Sequence, residues 1–175
     1  MSLGAGCAGQ RAVVQPPAAP PPPVAAAPAP PPPKKMKMAV LPVEKLILPK
    51  VAAALNERLV KASVGGVSET TTATISMDVA RMQLDCAQAT NECYRQIAKH
   101  FEADRLLWAE IERAARAKKK KGAPTTIRIV LFDVERAAVV GRAEQTFTGN
   151  VSNEALDQML SRAISEADAP AKEQP

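Results

Sequence analysis

Large rings are scarce in this chain. Aromatic residues make up 3% of it: one Trp, one Tyr and three Phe. A core must therefore be assembled from Val, Ile, Leu, Met and Ala, with Trp108, Phe101, Phe132 and Phe147 as its few large pieces. Histidine is scarcer still. The single His100 falls at the C-terminal end of an expected helix, where a cation is favoured anyway. With Cys7 read as an anchor, two thiols, Cys86 and Cys93, and one imidazole fall short of a four-ligand zinc site, so neither metal nor cofactor is expected. There is no GxGxxG and no GxxxxGK(S/T), which removes the phosphate cradles of the dinucleotide and P-loop folds. No Ser occupies a nucleophile elbow. Glu110 and Glu112 alternate with apolar residues and are read as facing water; an acid–base pair would need environments that split their pKa values. The expectation is a protein that is not an enzyme. No stretch reaches the roughly 18 apolar residues of a spanning helix, so any membrane link is expected to be an anchor.

What is present is unevenly placed. The net charge of +5 is concentrated in two clusters, Lys34, Lys35 and Lys37, then Arg113, Arg116 and the run Lys118, Lys119, Lys120 and Lys121. These four consecutive lysines lack interleaved aromatics, so they have no stacking platform for bases. Nucleic acid is not the expected partner. The run reads either as a solvated strand tip or as a basic binding loop for an anionic polymer, whose binding would fall steeply with salt.

Residues 16 to 33 are Pro and Ala with one Val. Proline fixes φ and removes backbone donors, so an extended polyproline-II rod is expected. At about 3.1 Å per residue, Cys7 to Lys34 would reach on the order of 80 Å. The small residues before Cys7 resemble the tail of a bacterial lipoprotein signal peptide, which would make Cys7 the lipidation site. The charged and apolar regions that precede such a cleavage box are not in this sequence. Either the start lies upstream or the likeness is accidental. Ala8, in place of the Asp that resembles an inner-membrane retention signal, favours the outer membrane. The expected organisation is a signal-like segment over 1–10, a Pro/Ala-rich linker over 11–35, a folded domain over 36–167 and a disordered tail over 168–175.

From residue 36 the pattern becomes globular. Met36 to Val43 reads as a strand stopped by Pro42. Pro49 opens a helix over 49–62 with Val51, Leu55, Leu59 and Val60 at helical spacing, ended by Gly65-Gly66. Val67 to Ile75 reads as a short, polar strand. Ser76 caps a helix over 77–86 with Val79 and Met82 on one face, and Thr90 caps another over 91–102 that turns Tyr94, Ile97, Ala98 and Phe101 inward. Arg105 to Arg113, Thr125 to Glu135 and Ala138 to Thr148 form a strand meander, with a turn at Arg136-Ala137. Ser152 caps a last helix carrying Ala155, Leu156, Met159, Leu160, Ala163 and Ile164 on one side. The predicted fold is α+β: a small mixed sheet of about four strands covered by about four helices.

Cys86 and Cys93 stand seven apart. On one continuous helix that is about 10.5 Å of rise, beyond the roughly 7 Å Cα separation a disulfide tolerates. A bridge needs the helix to break between them, and Thr90 supplies a fresh cap there. Bridging, which would imply an oxidising compartment, competes with two buried free thiols.

Several residues carry a resemblance. Met38-Ala-Val-Leu-Pro-Val43 resembles an opening strand that ends in Pro. Cys86 and Cys93, then Ile97, Ala98 and Ala103-Asp104-Arg-Leu-Leu107, resemble two cysteines, a short helix and an Ala-Asp step into a strand. Asp133-Val134 and Val139-Val140-Gly-Arg-Ala143 resemble the hairpin that follows. Together, over roughly 36 to 167, they resemble the family of the TolB amino-terminal domain and related envelope lipoproteins, the curli-channel and penicillin-binding-protein-activator types among them. The polar 67–75 segment and a missing Gly before the third strand depart from it. The resemblance implies a domain that binds periplasmic or envelope proteins, or assembles with copies of itself, and no shared active site. The competing reading is a cytoplasmic or peripheral subunit of a larger assembly, with the Pro-rich arm as a docking tail.

Overall fold

Helix caps and two-residue alternation divide the described part of the chain into nine elements. The computed structural model describes residues 35–44, 48–86, 88–113 and 124–168. Cys7, the Pro/Ala-rich run, the basic run Lys118, Lys119, Lys120 and Lys121, and residues 169–175 lie outside the described residues. The order is β1 (Met36–Val40), α1 (Pro49–Lys61), β2 (Val67–Thr72), α2 (Met77–Gln83), α3 (Asn91–His100), β3 (Arg105–Arg113), β4 (Thr125–Asp133), β5 (Ala138–Phe147) and α4 (Asn153–Asp168). This is the predicted α+β order. Among the described residues the sheet has five strands rather than about four, in the order β2-β1-β3-β4-β5. The polar β2 forms because β1 supplies a parallel ladder for it, and at the sheet edge its Ser and Thr side chains remain exposed.

β1 pairs in parallel with both β2 and β3, and β3-β4-β5 is antiparallel. The connection from β1 to β2 moves one way along the sheet, and that from β2 to β3 moves back across β1. Parallel crossovers are right-handed, so the two connections must lie on opposite faces. They do. One face packs against α1 and α4, burying Met38, Val40, Leu107, Ile129 and Leu131 with Leu55, Leu59, Leu156 and Met159. The other packs against α2 and α3, burying Ala39, Leu41, Leu106, Trp108 and Phe132 with Met77, Ala80 and Ile97. Tyr94 closes this second layer, its ring 4.9 Å from Trp108 and 5.4 Å from Phe132 between centroids.

Local chemistry sets the boundaries. Ser76 Oγ accepts the Val79 N–H, Thr90 Oγ1 the Cys93 N–H, and Ser152 Oγ the Ala155 N–H. α1 ends at Lys61 because Ala62 is already extended; Gly66, at φ 76°, serves the turn into β2 rather than the helix end. Two expected apolar faces are corrected. Met82 is exposed, because the seven-residue α2 is short enough to rest on Met77 and Ala80 alone; Val60 likewise turns outward. α4 runs through Asp168. It lies so close to β5 that a Cβ on Gly141 would run into the Ala163 carbonyl. Next to Gly141, Val140 is an extra residue on β5: Leu131 pairs with Gly141 and Phe132 with Val139.

Candidate functional site

A disulfide shapes the surface where α2 meets α3. α2 stops at Gln83, and Asp85 takes a left-handed conformation, φ 53°. That turns the chain so that the Cys86 N–H bonds the Arg81 carbonyl at 2.9 Å. α3 begins afresh at Asn91. The break predicted from the spacing is present. Cys86 and Cys93 are joined in a disulfide with their Cα atoms 5.7 Å apart, clipping α2 to α3. The other expected site residues, Cys7 for lipidation and Lys118, Lys119, Lys120 and Lys121 for a basic loop, fall outside the described residues. The loop is bracketed by its two strands: β3 ends at Arg113 and β4 begins at Thr125.

α2 and α3 coat only half of their sheet face. The other half, toward the far ends of β3, β4 and β5, is polar. Register places Glu110, Arg128 and Glu144 in one row across the three strands. Arg128 donates through Nη1 to Glu110 (2.8 Å) and through Nε to Glu144 (2.9 Å). Arg142 donates to the same Glu144 oxygen at 2.7 Å, and Glu112 stands 3.6 Å from Arg128. The Trp108 indole N–H donates to Glu110 at 3.1 Å, linking this row to the buried aromatic cluster. Glu112 faces water as expected, with a side chain 66% exposed; Glu110 does not, at 26%. The expectation for Glu110 is therefore corrected: Trp108 and Arg128 hold it at the border between core and surface.

These contacts set the electrostatics. Hydrogen bonds from Arg128 and then Arg142 lower the Glu144 carboxyl to about 2. Its hydrogen bond to Glu144, ahead of that to Glu110, keeps Arg128 protonated. Three carboxylates meet two guanidinia here, leaving one negative charge in excess, so the row is mixed in sign and does not present the positive field that suits a polyanion. It offers fixed donors and acceptors of both signs on a flat strand surface.

A cleft of about 220 Å³ opens beside this row. Pro42, Val43 and Glu44 line one side, Ala109 to Glu112 another, and Ser76 to Asp78 with Arg81 the rest. Burial, then the Glu110 and Glu44 carboxylates, push the Asp78 carboxyl up. Among the described residues no group of three or more His, Cys, Asp or Glu is placed to hold a metal ion. His100 ends α3 as predicted, exposed, with its ring edge against Phe101. Sequence reasoning placed neither the row nor the cleft. Alternating Glu110 and Glu112 opposite Arg128 was the available signal, but it becomes readable only once the strand register is known.

No family model matches the chain, and no curated protein matches it. Solved structures similar to it include the PelC dodecamer from Paraburkholderia phytofirmans, at 16% identity and TM-score 0.42, covering 78% of this chain and 89% of that one. The LpoB C-terminal domain from Escherichia coli is similar at 15% identity and TM-score 0.38, covering 71% and 87%. TolB from Acinetobacter baumannii is similar at 18% identity and TM-score 0.36, covering 77% of this chain and 28% of that one.

Proposed function

We propose that this chain is a non-enzymatic envelope lipoprotein. Its α+β domain binds or assembles with periplasmic partner proteins, and a Pro-rich spacer holds that domain off the outer membrane, to which Cys7 anchors it. One observation carries the binding role: α2 and α3 cover only part of their sheet face, and the uncovered part is an ordered row of ion pairs beside a cleft. Charged strand residues cross-paired in this way hold a fixed pattern of donors and acceptors, which is what a partner surface reads. The Cys86–Cys93 disulfide supports an oxidising compartment. The motif order around Cys86, Cys93 and Ala103-Asp104 supports the TolB-like reading.

The test is the intact, non-reduced mass of the protein expressed from its full genomic reading frame in a Gram-negative host and recovered from the membrane fraction. A lipid adduct on Cys7, with two hydrogens lost at Cys86 and Cys93, is the expected result. An unmodified, reduced chain in the soluble fraction would overturn the lipoprotein assignment and favour a cytoplasmic assembly subunit.

A further inference from the structure

β3 is longer than the partner that flanks it. β1 pairs with it over Met38–Val40, and one more bond follows, from the Leu41 N–H to the Leu107 carbonyl at 2.9 Å. Successive residues of a strand point their backbone groups to alternate sides. The Leu107 carbonyl faces β1, so the N–H and C=O groups of Ala109 and Ile111 face that side too, while those of Glu110 and Glu112 meet β4. In a continued parallel ladder the Ala109 N–H would meet the Leu41 carbonyl, and the Ala109 carbonyl and the Ile111 N–H would meet Val43. Asn56 of α1 has taken Val43: Oδ1 accepts the Val43 N–H at 2.7 Å, and Nδ2 donates to the Val43 carbonyl at 3.3 Å. The chain is thereby drawn off β3. Among the described residues no strand lies against Ala109 and Ile111, and both line the cleft already described.

An open ladder position walled by side chains is how a sheet takes up an extended peptide as an added strand. Charge selects the kind of peptide. Glu44, Asp78, Glu110 and Glu112 line the cleft with Arg81, and Arg128 reaches Glu110 and Glu112 from β4; four carboxylates against two guanidinia leave the surface net negative, so it favours a basic segment. Side chains of an added strand alternate between faces. Those on the Glu110 and Glu112 face would meet the carboxylates, and those on the other would lie beside Ile111, which is half-buried against the α1/α4 core. We propose that the β3 edge at Ala109 and Ile111 receives an extended segment of a partner protein carrying Lys or Arg at alternate positions, with small apolar residues between. The proposal rests on the partner-binding reading above and states what that partner presents.

The test uses the full chain, labelled for residue-resolved amide hydrogen exchange, with a blocked Lys-Val-Lys-Val-Lys peptide as probe and Glu-Val-Glu-Val-Glu as control. Exchange at Ala109 and Ile111 should slow about tenfold or more with the basic peptide, while Glu110 and Glu112 are already protected by β4. The acidic peptide should bind at least tenfold more weakly. The double variant Asp78→Asn/Glu112→Gln should lose about tenfold in affinity for the basic one. Absence of binding, or binding without protection at Ala109 and Ile111, overturns the assignment. So does protection already present in the free chain and lost when Lys118, Lys119, Lys120 and Lys121 are all changed to Gln, since the slot would then belong to the chain's own basic run. A chain acylated on Cys7 that ignores the peptide would leave the envelope reading standing and remove only the slot.

Discussion

Asn56 satisfies both backbone polar groups of Val43, thirteen residues before it, as an adjacent strand would. These atoms are part-buried, so their pairing contributes to stability. Asn56→Ala leaves a donor and an acceptor without partners, which costs about 1–3 kcal/mol each. Denaturant titration should show a lower midpoint with an unchanged slope. Amide exchange at Val43 should quicken in the same variant.

Arg105 and Asp133 form a buried cross-strand pair, 8% and 7% exposed. Arg105 also donates to the Gly65 carbonyl at 2.9 Å, and Asp133 accepts the Arg136 N–H at 3.0 Å. The pair thus ties β3 and β4 to the loop before β2 and to the β4–β5 turn. Removing one partner strands a buried charge. Arg105→Ala is expected to cost about 3–5 kcal/mol, and Arg105→Met with Asp133→Leu should recover part of it. A double-mutant cycle by thermal unfolding measures both.

The disulfide closes a short loop, so its contribution is modest, about 2.5 kcal/mol on the chain-entropy estimate. Cys86→Ser/Cys93→Ser should unfold at lower denaturant by that amount. Exchange should quicken first in α2, which rests on few buried side chains, while the α1/α4 side keeps its protection.

Acid should act through Glu144. Its carboxyl lies at about 2 against an ordinary 4.5, so it contributes stability above 4.5, and that contribution is lost as pH falls through about 2. Stability should decline over this window, and Glu144→Gln should flatten the decline. Asp78 has the opposite sign. Its raised pKa means its ionisation costs stability as pH rises through the folded value. Asp78→Asn should therefore gain on the wild type as pH rises above the ordinary carboxyl value of 3.8, as read by unfolding midpoints across pH.

Gly141 is where α4 meets β5 backbone to backbone. A methyl group there collides with the Ala163 carbonyl, and backbone has little room to yield. Gly141→Ala should cost about 1–3 kcal/mol and quicken exchange along α4.

The order of elements is legible because each signal is local. Ser76, Thr90 and Ser152 announce helix starts within three residues of the groups they cap, and β4 announces itself by composition and alternation. The inward side of α2 is not legible: seven residues are fewer than two helical turns and define no stripe, so nothing local turns Met82 outward. The half-burial of Glu110 is hidden because its partners, Trp108 two residues away and Arg128 on β4, act across a register that alternation alone does not give. Asn56 is hidden for the same reason. A carboxamide on a helix looks like a surface residue until the strand end it holds lies beside it.

The outer edge of β5 presents the backbone of Arg142, Glu144 and Thr146 outward, because Gly141, Ala143 and Gln145 are bonded to β4. At Arg142 the N–H is occupied by the Glu166 carboxylate of α4, at 3.0 Å. A second sheet growing onto this edge would have to evict that carboxylate and desolvate the Arg142 and Glu144 charges beside it. The last strand therefore carries its own stopper, and runaway stacking of one molecule's sheet on the next is blocked at the point where an unguarded strand would have begun it.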